Sequence, residues 1–453
     1  MIIGRTTELK YLNNYYDRAG SQILVVYGQK HVGKKALLKE FIEDKPNYYY
    51  HARACVEREQ QFWWGNELSG QEIKTSKYPT YSEILEGITL KPTQKKVIII
   101  DEFQHIIKNS DSFIKELISF VKNGWKHQEV MVVLVSSSIG WIENSMISKI
   151  GEAAYELSGL LKVKELGFEY LREYFSKYSA KECIEVYSVL GGFPGLWKYF
   201  KDTIGVEENI CNNLLYKNSF LFEEGERIVK EELREMSVYN TILASLAAGN
   251  NKLNALYDHT QFSRAKISVY LKNLMELEIV EKVFSYDSDG RENTQKGIYR
   301  ICNHLVDFYY TYMYPNLSSL SMKTVEAFYE EYVEKSFKTY TARYFGKVCT
   351  QYMERLNENN ELPFVAEDMG EWVGKAGTID LIAEGDGESL IAGCNWEKDE
   401  YTYEEYEWLL FCANKARIKP DYIYLFSVER FDEKLVSEAS LDRYLRLISA
   451  GDL

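Results

Sequence analysis

The chain has 453 residues, enough for roughly two to four domains that each bury a core. Hydrophobic residues make up 45% and charged residues 27%, which excludes a disordered, collagenous or membrane-spanning chain. The net charge is −14, and residues 321–453 hold 15 basic against 27 acidic residues, so the C-terminal third is a poor surface for nucleic acid.

At the N-terminus, Met1-Ile2-Ile3-Gly4-Arg5 lacks the basic-then-apolar plan of a signal peptide. No apolar run approaches the ~20 residues needed to cross a bilayer. The seven cysteines form no C-x-x-C pair, which fits thiols in a reducing cytosol and neither a disulfide framework nor a zinc ribbon. A cytoplasmic protein without a membrane partner is expected.

Along the first 165 residues, apolar runs at 23–27, 97–100 and 131–135 alternate with amphipathic stretches. Short, continuously apolar runs suit parallel strands buried on both faces of an α/β sheet. The aromatic run Phe62-Trp63-Trp64 is placed in a loop, where it reads either as a protein-contact patch or as core packing. From 167 to 235 the pattern is helical, broken by Gly191-Gly192-Phe193-Pro194. A helical unit at 239–277 and strands at 280–284 and 297–301, joined by a polar turn, predict three helices and a two-stranded wing. Residues 309–320, with Pro315, read as a connector. A long helix over about 323–356 then precedes strands at 378–383, 390–394 and 422–426.

Gly28-Gln29-Lys30-His31-Val32-Gly33-Lys34-Lys35 follows the first strand and opens a helix, matching G-x-x-x-x-G-K in the context that phosphate binding requires. Glycines let backbone N–H groups close around phosphate oxygens, and the helix N-terminus adds partial positive charge. Lys34 is placed to reach the β- and γ-phosphates of ATP or ADP. Lys35 stands where a Ser or Thr hydroxyl would ligate Mg²⁺, and an ammonium cannot. It either neutralises phosphate charge without metal or lies in solvent.

Val97-Ile98-Ile99-Ile100-Asp101-Glu102 lies about 65 residues beyond that loop, the spacing of the second half of an ATPase site. Asp101 is placed to hold Mg²⁺, and Glu102 to orient or deprotonate an attacking water. Ser136-Ser137-Ser138 ends the next strand, as a γ-phosphate sensor or as turn chemistry.

Ile3-Gly4-Arg5, with Glu8, Leu9 and Leu12, resembles the opening of AAA-type ATPases of the STAND group, in particular a prokaryotic family of archaea and bacteria. Gly191-Gly192-Phe193-Pro194 resembles that family's lid motif, and residues 221–226, Tyr239, Tyr299-Arg300-Ile301 and Tyr314-Pro315-Asn316 continue the likeness. The resemblance implies a P-loop ATPase core (1–165), a helical lid (166–235), a winged helix (236–316) and a restriction-endonuclease-like α/β domain of the PD-(D/E)XK type (321–453). It adds Gly4, Arg5 and Pro194 to Gly28, Gly33, Lys34 and Lys35 as nucleotide-binding residues.

Against that family pattern, Lys35 replaces Thr or Ser and Thr6 replaces an acid. Ser148-Lys149-Ile150-Gly151 replaces an arginine-bearing stretch, and Lys149 lacks the planar fork of arginine. In the C-terminal domain the helix acid has become Thr350, and the acid-x-Lys strand has become Gly393-Cys394-Asn395. Only Asp380 remains, with Glu367 and Glu371 nearby, so no Mg²⁺ centre assembles. Arg264, Lys266 and Lys272 on the presumed recognition helix could contact phosphates or simply be solvated.

The expectation is a nucleotide-binding switch with weak or no ATP hydrolysis, no nuclease activity, and Mg²⁺ weakened by Lys35. Its implied partners are nucleotide and a protein surface or second copy, with DNA less favoured. The alternative is a DNA- or protein-binding adaptor with both sites vestigial.

Overall fold

The computed structural model describes residues 2–89, 95–123, 129–286 and 297–453, and the polar turn of the expected wing lies outside the described residues. Two compact units emerge: the chain up to Glu165 together with 193–195, and the remainder.

In the first unit, strands β1 (Gln22–Tyr27), β2 (Asn47–His51), β3 (Lys96–Asp101), β4 (Val130–Ser136) and β5 (Gly159–Lys162) form one parallel sheet, ordered β2-β3-β4-β1-β5. Consecutive residues of β4 are all buried, as an apolar run covered on both faces requires. The expected strands β1, β3 and β4 are present.

Phe62-Trp63-Trp64 belongs to a helix, correcting its placement in a loop. Helix α1 spans Thr6–Tyr16, α2 Lys34–Phe41 and α3 Glu57–Gly70. Gln60, Trp64 and Leu68, spaced by four, form the buried face of α3. Trp64 stacks flat on Tyr50 at 4.0 Å and donates to the Tyr48 hydroxyl at 3.0 Å, so the alternation of β2 sets where α3 packs. Of the two readings, core packing holds for Trp64, which is buried, while Phe62 is half-buried and Trp63 is exposed.

The second unit opens with helices, of which Ala180–Leu190 starts at a Ser179/Glu182 capping box. Helices Met236–Ala247, Leu253–Thr260 and Arg264–Glu276 precede the antiparallel pair β6 (Val280–Val283) and β7 (Ile298–Ile301). Ser263 caps its helix, accepting from the Lys266 N–H, with Ile267, Leu271 and Leu274 buried. Residues 309–320 are helical rather than a connector. Tyr309, Tyr310, Tyr312 and Met313 are buried, and Pro315 sits in the first turn of a short helix, where its missing N–H is harmless. The helix Glu334–Glu358 leads to β8 (Asp368–Val373), β9 (Thr378–Gly385), β10 (Glu388–Asn395), β11 (Glu400–Tyr401), β12 (Tyr422–Ser427), β13 (Arg430–Phe431) and β14 (Leu445–Ser449). Five of these form a mixed sheet, ordered β14-β12-β10-β9-β8, with β10, β12 and β14 parallel and β9 and β8 antiparallel. All seven cysteines are free thiols. No helix of the described residues is long and apolar enough to cross a membrane.

A buried histidine makes this unit pH-sensitive. His304 is fully buried between Tyr187 and Tyr344, with Nδ1 2.5 Å from the Tyr187 carbonyl and Nε2 3.5 Å from the Lys347 ammonium. The carbonyl only accepts, so Nδ1 carries the proton and Nε2 faces a cation. Burial, followed by the charge of Lys347, holds the imidazole well below its ordinary range. Unfolding releases a histidine that binds a proton below about pH 6.5, and the folded state does not. His304 therefore contributes stability that is present above about pH 6.5 and is lost by up to about 1.4 kcal/mol per pH unit below it. Thermal melts between pH 8 and 5.5 are expected to fall more steeply for the wild type than for His304→Gln; parallel slopes would refute this.

Candidate functional site

The loop between β1 and α2 is fixed by close backbone approaches. Gly28 has φ 155°, and a Cβ there would lie 2.2 Å from the Val163 carbonyl oxygen, so only glycine fits. Its N–H donates to the Ser136 carbonyl at 3.3 Å, tying the loop to the end of β4. Gly33, at φ 101°, caps α2 in the left-handed region. Pro194 packs beside Gly33, 3.2 Å from where its Cβ would be, and the Gly195 N–H donates to the His31 carbonyl at 2.9 Å. The segment expected to bind nucleotide through Pro194 thus buttresses the phosphate loop.

Arg5 is almost fully buried. Its guanidinium donates to the carbonyls of Val32 at 2.6 Å and Lys164 at 2.8 Å, and pairs with Glu8 at 2.6 Å. Gly4 lies in the turn entering α1, at φ 65°. Arg5 is therefore placed as a bracket between the loop and the segment after β5.

Lys34 is buried, and its Nζ donates to the carbonyls of Gly28 at 2.7 Å and Gln29 at 2.9 Å. Burial lowers its pKa to about 8, against the opposing pull of Glu102 and Asp101. The Lys35 side chain is exposed, with its ammonium 5.5 Å from the Tyr49 ring centre. Lys35, Leu38, Tyr49, Ile99, Asp101 and Val135 help line a cavity of about 290 Å³ beside α2.

The two acids at the end of β3 are both engaged. Asp101 Oδ2 accepts from the Tyr49 hydroxyl at 2.5 Å and lies 3.3 Å from His51 Nδ1, while Oδ1 accepts from the Glu102 N–H at 3.1 Å. Burial pushes the Asp101 carboxyl up, but the His51 and Tyr49 hydrogen bonds outweigh it and hold it below its ordinary value. Asp101 in turn raises His51 through that hydrogen bond. Glu102, at φ 54°, accepts from Ser137 Oγ at 2.8 Å and from Gln104 Nε2 at 2.5 Å. A divalent ion needs oxygen ligands with free lone pairs. Lys35 offers none, both Asp101 oxygens already accept from protein donors, and no cluster of three or more His, Cys, Asp or Glu able to hold a metal occurs among the described residues. The donor set does not fit Mg²⁺. Lys149 pairs with Asp111 at 2.8 Å, on an exposed surface.

Sequence reading did not find Tyr49 and His51. Parallel pairing sets His51 opposite Asp101, a juxtaposition without a local signal.

In the second unit, Thr350 bonds back to the Gly346 carbonyl at 3.1 Å within its own helix. A Cβ at Gly393 would lie 2.4 Å from the Tyr401 hydroxyl, so an acid there has no room. Asn395 is buried and donates to the Glu400 carbonyl at 2.9 Å. Asp380 accepts from the Cys394 N–H at 2.7 Å, and its carboxyl is pushed up to about 6 by desolvation, a shift that this hydrogen bond opposes and Glu371 reinforces. Glu371 itself pairs with Arg300 of β7 at 2.7 Å, and its carbonyl accepts from the Tyr286 N–H at 2.8 Å. The residues following β6 thus lie along the free edge of β8. On the helix Arg264–Glu276, Arg264 donates to Asn254, Lys266 covers Phe262, and Lys272 pairs with Glu276 at 3.8 Å.

Residues 2–200 match the model of an ATPase domain predominantly from Archaea, and residues 309–407 that of archaeal and bacterial proteins of unknown function. An uncharacterized protein of Methanocaldococcus jannaschii is 28% identical over 404 residues, covering 88% of each chain. Among solved structures, a Walker-type ATPase of Pyrococcus abyssi is similar over 68% of this chain and 96% of its own, at 17% identity and a TM-score of 0.47. The ORC2 protein of Aeropyrum pernix, solved as ADPNP–ADP complexes, covers 71% and 95% at 14% identity and a TM-score of 0.45. The parallel sheet and glycine loop of the N-terminal unit fall within the residues that match the model of an ATPase domain predominantly from Archaea.

Proposed function

We propose that this chain is a nucleotide-dependent switch of the AAA/STAND type, binding ATP or ADP at Gly28, Gly33, Lys34 and Lys35 with weak or no hydrolysis. One observation carries the reading: Lys34 is poised inside an intact glycine loop, bonded to the Gly28 and Gln29 carbonyls, while the Lys35 ammonium lies over the Tyr49 ring. The loop is thereby left able to close on phosphate. Phosphate would replace the two carbonyls as the acceptor for Lys34 and meet the N–H groups at the start of α2. Weak turnover follows from Glu102 being held by Ser137 and Gln104, and from the lack of an arginine where Lys149 pairs with Asp111.

In this reading residues 166–235 are the lid, 236–316 a winged helix and 321–453 a nuclease-like domain without nuclease chemistry. Tyr401 filling the space at Gly393, and Thr350 and Asn395 in place of acid and lysine, support the last point. The hairpin's engagement with Glu371 favours internal packing of the winged helix over DNA binding.

Titration calorimetry with ATP and ADP is the test, and saturable heat below about 1 mM nucleotide is expected, an affinity stronger than about 4 kcal/mol. No heat at that concentration refutes the switch. Linear DNA incubated with the protein and Mg²⁺ is expected to stay intact; cleavage that disappears in Asp380→Ala would reverse the nuclease conclusion.

A further inference from the structure

Phosphate-loop sites usually set a divalent ion between a hydroxyl at the start of the helix and the aspartate of the neighbouring strand. Both halves of that arrangement are altered here, and altered together. The hydroxyl position is Lys35, whose ammonium has hydrogens to donate and no lone pair to offer. The aspartate, Asp101, has Oδ2 taken by the Tyr49 hydroxyl and His51, and Oδ1 by a backbone N–H. Tyr49 links the two changes, since its ring lies under the Lys35 ammonium and its hydroxyl binds Asp101. Lys35, Tyr49 and Asp101 also line one cavity beside α2.

Charge gives the same answer as ligand geometry. A divalent ion beside Asp101 would enter next to two lysines and a histidine already hydrogen-bonded to that carboxylate. A nucleotide's phosphates would instead meet Lys34 from within the loop and Lys35 from the second position of α2, together with the helix N-terminus.

We propose that the site binds nucleoside di- and triphosphates without a divalent cation, with Lys35 as the built-in counter-charge in place of a metal-ligating hydroxyl and Tyr49 and His51 occupying Asp101 Oδ2. This rests on the nucleotide-binding reading above and specifies its chemistry. An Asp101 committed to protein donors also explains why hydrolysis would be weak even with nucleotide in place.

The test is equilibrium binding of ADP and ATP to the full chain in excess EDTA and in excess Mg²⁺. The two dissociation constants are expected to agree within about threefold, under 1 kcal/mol. Affinity that falls tenfold or more in EDTA, about 1.4 kcal/mol, overturns the proposal while leaving nucleotide binding intact. Absence of binding in both conditions overturns the nucleotide reading and this one with it. Lys35→Gln is expected to bind roughly tenfold more weakly in EDTA and Lys35→Arg to bind as the wild type does, because charge is what position 35 supplies. Unchanged EDTA affinity in Lys35→Gln, or equal losses in both variants, overturns the counter-charge role. Lys35 is exposed, so circular dichroism of these variants should match the wild type.

Discussion

Lys34→Ala is expected to weaken ATP and ADP binding by about 100-fold, a loss of roughly 3 kcal/mol for a buried ammonium that would make charge-assisted bonds to phosphate. The side chain is held in place beforehand by the Gly28 and Gln29 carbonyls, so little ordering remains when phosphate arrives. A second consequence separates this role from simple folding. Burial brings Lys34 to about 8, so the free protein carries the charge at neutral pH and loses it as pH rises past that value. Wild-type affinity is therefore expected to be level below about pH 7.5 and to fall towards tenfold per pH unit above pH 8.5, because binding then requires uptake of a proton. Lys34→Ala should show no such slope. A variant that binds like the wild type at pH 7, or that keeps the alkaline decline, would remove Lys34 from the site.

Arg5→Ala is expected to destabilise the N-terminal unit by roughly 3–4 kcal/mol. The buried carbonyl of Val32 and the part-buried one of Lys164 would lose charged donors at 2.6 and 2.8 Å, and an unsatisfied buried group costs about 1–3 kcal/mol. Glu8 would lose its partner as well. For a unit of this size the melting temperature should drop by about 10 °C. Arg5→Lys should rescue little, since one ammonium cannot reproduce a fork that reaches three acceptors. Nucleotide affinity at low temperature should change far less than stability, because Arg5 lies behind the loop. A melting temperature within about 2 °C of the wild type would show that the bracket contributes nothing.

Much of the candidate site was legible because its signals are local. A glycine loop between a strand and a helix, and an apolar strand ending in two acids, each sit within ten consecutive residues. What the sequence did not disclose depends on partners far away in the chain. Arg5 carries a motif that points to nucleotide, yet the two carbonyls it binds lie 27 and 159 residues away. Tyr49 and His51 border Asp101 only because β2 pairs with β3, and a run of three tyrosines at the edge of a sheet lacks the apolar continuity that revealed β1, β3 and β4. The Phe62-Trp63-Trp64 run hid a helix because its buried face begins at Gln60, a polar residue whose side chain donates to the Tyr50 hydroxyl at 2.5 Å. In the second unit the loss of acids was readable, but what fills the space, the Tyr401 hydroxyl against Gly393, was not.

The engagement of the hairpin with Glu371 has a colloidal consequence. β8 is the last strand of its sheet, and an uncovered last strand offers a row of backbone donors and acceptors to any other extended chain. Ser285 and Tyr286 take up part of that row, and the Tyr286 ring covers Gly370, the position where β8 has no side chain of its own. The hairpin is thus a stopper against fibrillar stacking of an acidic sheet. Among the described residues the Arg300–Glu371 ion pair and the Tyr286–Glu371 backbone bond fasten it there, so the resistance of this edge to aggregation depends on a latch two strands wide.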